Sequence, residues 1–269
     1  MNTLRLSFAN APIERHAPVQ ELLSRMDGGF FPIDCSEMEQ SLAALILAAA
    51  SQSKNGRRFL VIVPSDAEAD AFASDCRAAG TTAMVFPWWK TAAYRPVESR
   101  SQAFGERAAA LAAMLDEQGP RVMVAGLRAA MIPLPPRQLF EASLFRLRLG
   151  DTIDTGTLAD KLVSWGYLRV PRVSLPGEFA LRGEVLDLFM PGDDDAVRVV
   201  FGYDTVEEIR RFEPVSQASS GDRPGTLLVR PSRELVWNET LINHAIAALA
   251  ACPRSGAANH DERIAMLAQ

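Results

Sequence analysis

The chain has 269 residues, 48% of them hydrophobic and 23% charged, which is enough for one large domain or two ordinary ones with packed cores. Its formal net charge of −5 excludes nucleic-acid binding driven by bulk charge, while leaving room for a local basic patch. Cys35, Cys76 and Cys252 are odd in number and too far apart for a CxxC pair, as expected of a reducing compartment rather than a disulfide framework.

The opening Met1-Asn2-Thr3-Leu4-Arg5-Leu6 has no basic segment followed by a long apolar one, so no secretory leader is expected. The longest apolar stretch, 42–50, is far short of the roughly 20 residues a membrane span needs. A cytosolic, cytoplasmic protein is the expectation. The first clear element is a helix over 36–50, where Ser36 and Glu39 have capping-box spacing ahead of a run of strong helix formers. After the turn residues Lys54-Asn55-Gly56, Phe59-Leu60-Val61-Ile62-Val63 is a short continuous apolar run of the kind found in strands buried on both faces. Ser65 and Asp66 offer an N-cap for a helix over 67–79 that Gly80 closes. A strand at 82–86, an Ala-rich helix over 101–118 stopped by Gly119-Pro120, and a strand at 121–125 complete an α/β layer with a mostly parallel sheet.

Pro133-Leu134-Pro135-Pro136 can continue neither a helix nor a strand and marks the first boundary. Beyond it the pattern becomes α+β: strands at 144–149, 179–188, 197–201 and 207–212 around one helix at 157–165. The polar, turn-rich stretch 216–225 is a second linker, followed by a strand at 226–229 and a helix over 238–251. The last residues, 252–269, close no packed element, so the chain is expected to stop inside a domain. The segments are therefore 1–132, 133–217 and 218–269.

In a parallel sheet of this kind a nucleotide sits at a glycine-rich turn between the first strand and its helix, where amides and a lysine meet the phosphates. The corresponding stretch, Gly28-Gly29-Phe30-Phe31-Pro32-Ile33-Asp34-Cys35-Ser36, has no GxxxxGK[ST] pattern and no lysine, and Pro32 and Asp34 oppose an anion. After the strand at Val124, Ala125-Gly126-Leu127 offers Mg²⁺ no carboxylate. His16, His244 and His260 have no ligand partners at useful spacing, and Asp193-Asp194-Asp195 in a Pro-Gly turn reads as a solvated loop. No catalytic residue, cofactor site or metal site is expected. Trp88, Trp89 and Tyr94 could stack on bases, but only Lys90 and Arg95 stand near to hold phosphate, so packing is the expected role.

Two stretches carry a family resemblance. Phe86-Pro87-Trp88-Trp89-Lys90-Thr91-Ala92-Ala93-Tyr94, followed by 101–115 with Glu106-Arg107, resembles the "FP-aromatic-E-T-x-P-Y" segment and arginine-led helix of bacterial transcription-repair coupling factors. Gly166-Tyr167 followed by Pro176-Gly177-Glu178-Phe179-Ala180-Leu181-Arg182-Gly183-Glu184-Val185-Leu186-Asp187-Leu188-Phe189 closely resembles the "GY…GEF-x-x-RG-x-x-[LI]-D-[LI]-F" pattern shared by that family and the excision-repair protein UvrB. The interval between Tyr94 and the next helix lacks the aromatic β-hairpin with which UvrB clamps DNA, so the coupling factor resembles the chain better; a DNA-damage-binding fragment of UvrB is the alternative.

The resemblance implies a degenerate RecA/P-loop-like parallel-sheet domain 1a (1–132), an inserted α+β domain 2 (133–217) and the start of domain 1b (218–269). It implies that domain 2 binds the excision-repair protein UvrA, recruiting nucleotide excision repair to a stalled RNA polymerase. The ATP-dependent translocation along double-stranded DNA would belong to other parts of the parent protein. Carried over residue by residue, the contact positions are Arg182 of the "RG" pair and Phe189 closing "LDLF". At the third, just after "GY", Leu168 stands with Arg169 one residue on, a shift that turns a strand side chain to the other face. Arg172 and Glu178 are candidate charges at the rim.

Overall fold

The computed structural model describes residues 16–36, 38–52, 56–89, 102–237 and 239–251. Two helices, α1 (Ala17–Asp27) and α2 (Gln40–Ser51), precede a three-stranded parallel sheet made of β1 (Phe59–Val63), β2 (Ala83–Phe86) and β3 (Val122–Gly126) in the order β1-β3-β2. The crossovers are α3 (Asp66–Ala78) between β1 and β2 and α4 (Gln102–Leu115) between β2 and β3. Ser65 caps α3: its hydroxyl oxygen accepts from the Glu68 amide at 3.3 Å and its O–H donates to the Glu68 carboxylate at 2.8 Å.

Residues alternate along each strand, so the two sheet faces take different cover. Val122 and Val124 face Ala44 of α2 and Ala69, Phe72, Ala73 and Cys76 of α3; Met123 and Ala125 face the alanine-rich side of α4. Burial raises the Cys76 thiol to about 11, leaving it an inert core group. The central strand β3 is buried throughout, but the edge strand β1 exposes Leu60 (58%) and Ile62 (54%). The expectation of a first strand covered on both faces is therefore corrected, because α4 packs over β2 and β3 rather than over β1. The helix expected to begin at Ser36 begins at Gln40 instead, with Glu39 in the capping position. Among the described residues no strand precedes Gly28; residues 28–36 lie between α1 and α2, so they are not a strand-to-helix turn. Lys54, Asn55, Lys90, Tyr94, Arg95, Ser101, His260 and the segment 252–269 fall outside the described residues.

Short helices α5 (Leu127–Ala130) and α6 (Arg137–Ala142) lead into the second layer. There β5 (Leu168–Arg169), β6 (Glu178–Arg182), β7 (Val185–Phe189), β8 (Ala196–Gly202) and β9 (Thr205–Phe212) form a five-stranded sheet in chain order, antiparallel except for the β5–β6 pair. The run expected as one strand at 179–188 is a hairpin, folded at Gly183, whose φ of +58° suits a residue without Cβ. Helix α7 (Thr155–Ser164), N-capped by Asp154, covers one face of this sheet with Leu158 and Leu162. Two further strands, β4 (Phe145–Arg148) and β10 (Thr226–Val229), pair antiparallel beside it, and α8 (Glu239–Ala251) follows. Leu147, Leu227 and Val229 belong to the same core as Phe179 and Leu188, so β10 packs with the middle segment although it follows the 216–225 linker.

The two layers meet along α4. A Cβ at Gly105 would overlap the Pro191 ring, and one at Gly192 (φ +84°) would lie 2.8 Å from Ala109 Cβ, so both positions need glycine for this approach. Close by on α4, Arg107 is wholly buried. Its Nε donates to Glu234 at 2.7 Å, its Nη1 to the Pro87 carbonyl at 2.8 Å, and its guanidinium lies 4.2 Å from the Phe86 ring centre. Trp89 Nε1 donates to the other Glu234 oxygen at 2.6 Å, which accounts for this tryptophan through packing, and Trp88 packs under Arg128 in the α4-side core. Removing one member of a buried pair leaves an uncompensated charge. Arg107→Ala is therefore expected to lower unfolding stability by roughly 3–5 kcal/mol in urea titration, and Arg107→Lys by most of that amount because the stacked fork is lost. A loss below about 1 kcal/mol would contradict this role for the pair.

Candidate partner-binding face

The five-stranded sheet has a second face, turned away from α7. Strand registers place Glu178, Ala180 and Arg182 of β6 on it, with Val185, Asp187 and Phe189 of β7, Ala196 and Arg198 of β8, and Arg210 and Phe212 of β9. Ala180, Phe189, Ala196 and Phe212 form a small apolar cluster there with Val173. Beside it stands Asp187, 1% exposed and fully engaged. Arg198 binds Asp187 in a fork, Nε to Oδ1 at 2.5 Å and Nη2 to Oδ2 at 2.8 Å, while Arg182 Nη2 reaches Oδ2 at 2.7 Å.

Arg198 also donates to the Gln217 side-chain oxygen at 3.1 Å, and its guanidinium lies 4.7 Å from the Phe212 ring centre. The hydrogen bond to Asp187 holds the Arg198 pKa above its ordinary value, with the Asp187 charge adding to this and burial opposing it. Arg198 is 18% exposed and Arg182 52%, so Arg182 carries its charge to solvent while Arg198 supports the face from below. Gln217, at φ +62°, belongs to the loop after β9, where Glu213 accepts from the Val215 and Ser216 amides.

The five residues singled out from the sequence separate in the fold. Arg182 lies on the open side of the face, with about half of its side chain exposed. Phe189 is only 7% exposed and sits in the apolar cluster, so the end of β7 is covered on both sides and this ring does not stand out from the face. Arg169 pairs in register with Phe179, whose side chain enters the α7-side core, so Arg169 lies on the opposite face from Arg182. Leu168, paired with Glu178, takes the position on the Arg182 face and is 39% exposed. Glu178 works inward: one of its oxygens accepts from the Ser174 and Leu175 amides, each at 2.8 Å. Arg172 Nη2 donates to the Val215 carbonyl at 2.9 Å, tying the loop before β6 to the loop after β9.

Asp187, Arg198 and Gln217 were not singled out from the sequence. The signal was available: an aspartate inside the apolar run Val185-Leu186-Asp187-Leu188-Phe189 has to find a cation if it is buried. In the Asp193-Asp194-Asp195 turn Asp194 is exposed, and the one departure from a solvated loop is Asp193. Asp193 pairs with Arg230 at 2.5 Å, and Arg230 donates to the Pro191 carbonyl at 2.9 Å. Among the described residues no group of three His, Cys, Asp or Glu side chains could hold a metal ion, and no helix is long and apolar enough to cross a membrane.

The UvrB interaction domain family matches residues 145–234, which contain the whole five-stranded sheet together with β4, α7 and β10. A transcription-repair-coupling factor of Mycobacterium bovis is 31% identical over 228 residues, covering 82% of this chain and 18% of the relative. One from Borreliella burgdorferi is 24% identical over 201 residues, covering 75% of this chain and 18% of the relative. UvrABC system protein B of Kosmotoga olearia is 33% identical over 125 residues, covering 46% of this chain and 18% of that protein. The chain thus spans less than a fifth of the length of these relatives.

Because Phe189 is core, Phe189→Ala opens a cavity under the face: it is expected to lower stability by about 3–5 kcal/mol in urea titration, with Phe189→Leu costing much less. A Phe189→Ala chain as stable as the parent would put this side chain back among candidate contacts.

Proposed function

We propose that this chain, a relative of the transcription-repair-coupling factors that carries a UvrB interaction domain, is a non-catalytic docking module whose middle domain binds the excision-repair protein UvrA. The observation that carries the proposal is Arg182: half-exposed, held at one nitrogen by a buried carboxylate, and lying within the matched segment. A guanidinium presented this way can form charge-assisted bonds with a partner carboxylate, and its anchoring on a five-stranded sheet limits the ordering needed on binding.

In this reading the middle domain includes β10, and it sits between a degenerate RecA-like domain 1a and the start of domain 1b. The module works in the cytosol and brings excision repair to a stalled RNA polymerase, while ATP-driven movement along double-stranded DNA belongs to the rest of a longer protein. The turn from β1 into α3, Pro64-Ser65-Asp66, has neither the glycines nor the lysine of a phosphate loop, which supports a module that does not hydrolyse ATP. The match to UvrABC system protein B keeps a second reading in play, a DNA-damage-binding fragment of that type. Binding of Mg²⁺-ATP to the purified chain would favour this second reading.

Titration of the chain with purified UvrA at a stated salt concentration tests the docking reading. Arg182→Ala is expected to weaken binding by about 2 kcal/mol, roughly thirtyfold, and Arg169→Ala, on the other face, by less than about twofold. Equal affinities for the parent and Arg182→Ala would overturn the assignment of the face; no binding by the parent would overturn the role.

A further inference from the structure

We infer that Asp187 is a positioning residue of the docking face, fixing Arg182 so that the outer edge of its guanidinium meets an acidic segment of the partner; this rests on the docking reading above. Asp187 lies directly opposite Ala180 on β6 and Arg198 on β8, and Arg198 lies opposite Arg210 on β9. Arg182 is the diagonal neighbour of Asp187, a separation that a long side chain can span. The face therefore gathers two guanidiniums on one carboxylate, with Arg210 one strand beyond Arg198.

The other acids nearby are engaged elsewhere, and none of them is bonded to Arg182. Glu208 pairs with Arg223 at 3.2 Å, Glu178 accepts loop amides, and Asp193 is taken by Arg230. One anion satisfies Arg198 through two bonds and gives Arg182 a single contact at Oδ2. Arg182 is thus oriented yet incompletely paired, which fits a partner surface carrying carboxylates. Without Asp187 its long side chain would sample many rotamers, and binding would have to order it. Core neutralisation of Arg198 alone would need no third participant, and Arg182 would then be indifferent to Asp187.

The test compares the parent chain, Asp187→Asn and Asp187→Glu, each with and without Arg182→Ala, by titration with UvrA alongside thermal melts. Asp187→Asn is expected to bind about tenfold more weakly, with Asp187→Glu intermediate, and in the Arg182→Ala background the aspartate change should add less than about twofold. Asp187→Asn binding within about twofold of the parent, or its full loss persisting without Arg182, would overturn the inference while leaving the docking reading intact. If Asp187→Asn is unfolded at the assay temperature, Asp187→Glu decides: a loss of about threefold or more that disappears without Arg182 supports positioning, and parental affinity overturns it. A parent chain that does not bind removes the docking reading itself, and this inference with it.

Discussion

A buried carboxylate needs donors already in place, and Asp187 meets that constraint with two arginines from neighbouring strands. Strand β7 is buried on both sides: Leu186 and Leu188 enter the core under α7, and Asp187 and Phe189 point to the other face. A charge in that strand fixes its surroundings. Arg198 must lie across from it, Phe212 must lie beneath that guanidinium, and the loop after β9 must fold back far enough to bring Gln217 within 3.1 Å. The same constraint leaves Arg182 exposed beside its anchor, so the stability of the sheet and the chemistry of its surface depend on one side chain.

A second buried pair joins the layers. Arg107 on α4 and Glu234 beyond β10 are 127 residues apart in sequence and connect the parallel sheet to the segment that closes the middle domain. Gly105 and Gly192 let α4 approach the Pro191 turn, and Arg230 holds that turn through Asp193 and the Pro191 carbonyl. None of these residues is among those that the strand registers place on the Arg182 face of the five-stranded sheet, so the contacts join the layers without crowding it.

Local signals in the sequence located most of the elements. Ser65 with Asp66, Gly80, Gly119-Pro120 and the apolar runs at 59–63 and 226–229 each mark a feature that the backbone needs there. Long-range pairing was not legible. Nothing near Thr226 shows that β10 will pair with β4, and nothing in Phe59-Leu60-Val61-Ile62-Val63 shows that one face of an edge strand stays open. Strand parity gave the orientation of Arg169 correctly, because side chains alternate whatever the partner strand. Phe189 shows the opposite limit: its motif position was read correctly, but exposure depends on Val173, Ala196 and Phe212, which come from three different segments.

The most direct measurement of the central claim is hydrogen exchange of the 269-residue chain, alone and saturated with UvrA. Added protection is predicted along β6, β7 and β8, in the loop containing Gln217 and nowhere in β1 or β3. Protection confined to the parallel sheet, or to the α7 side of the middle domain, would contradict a docking face built around Asp187 and Arg182.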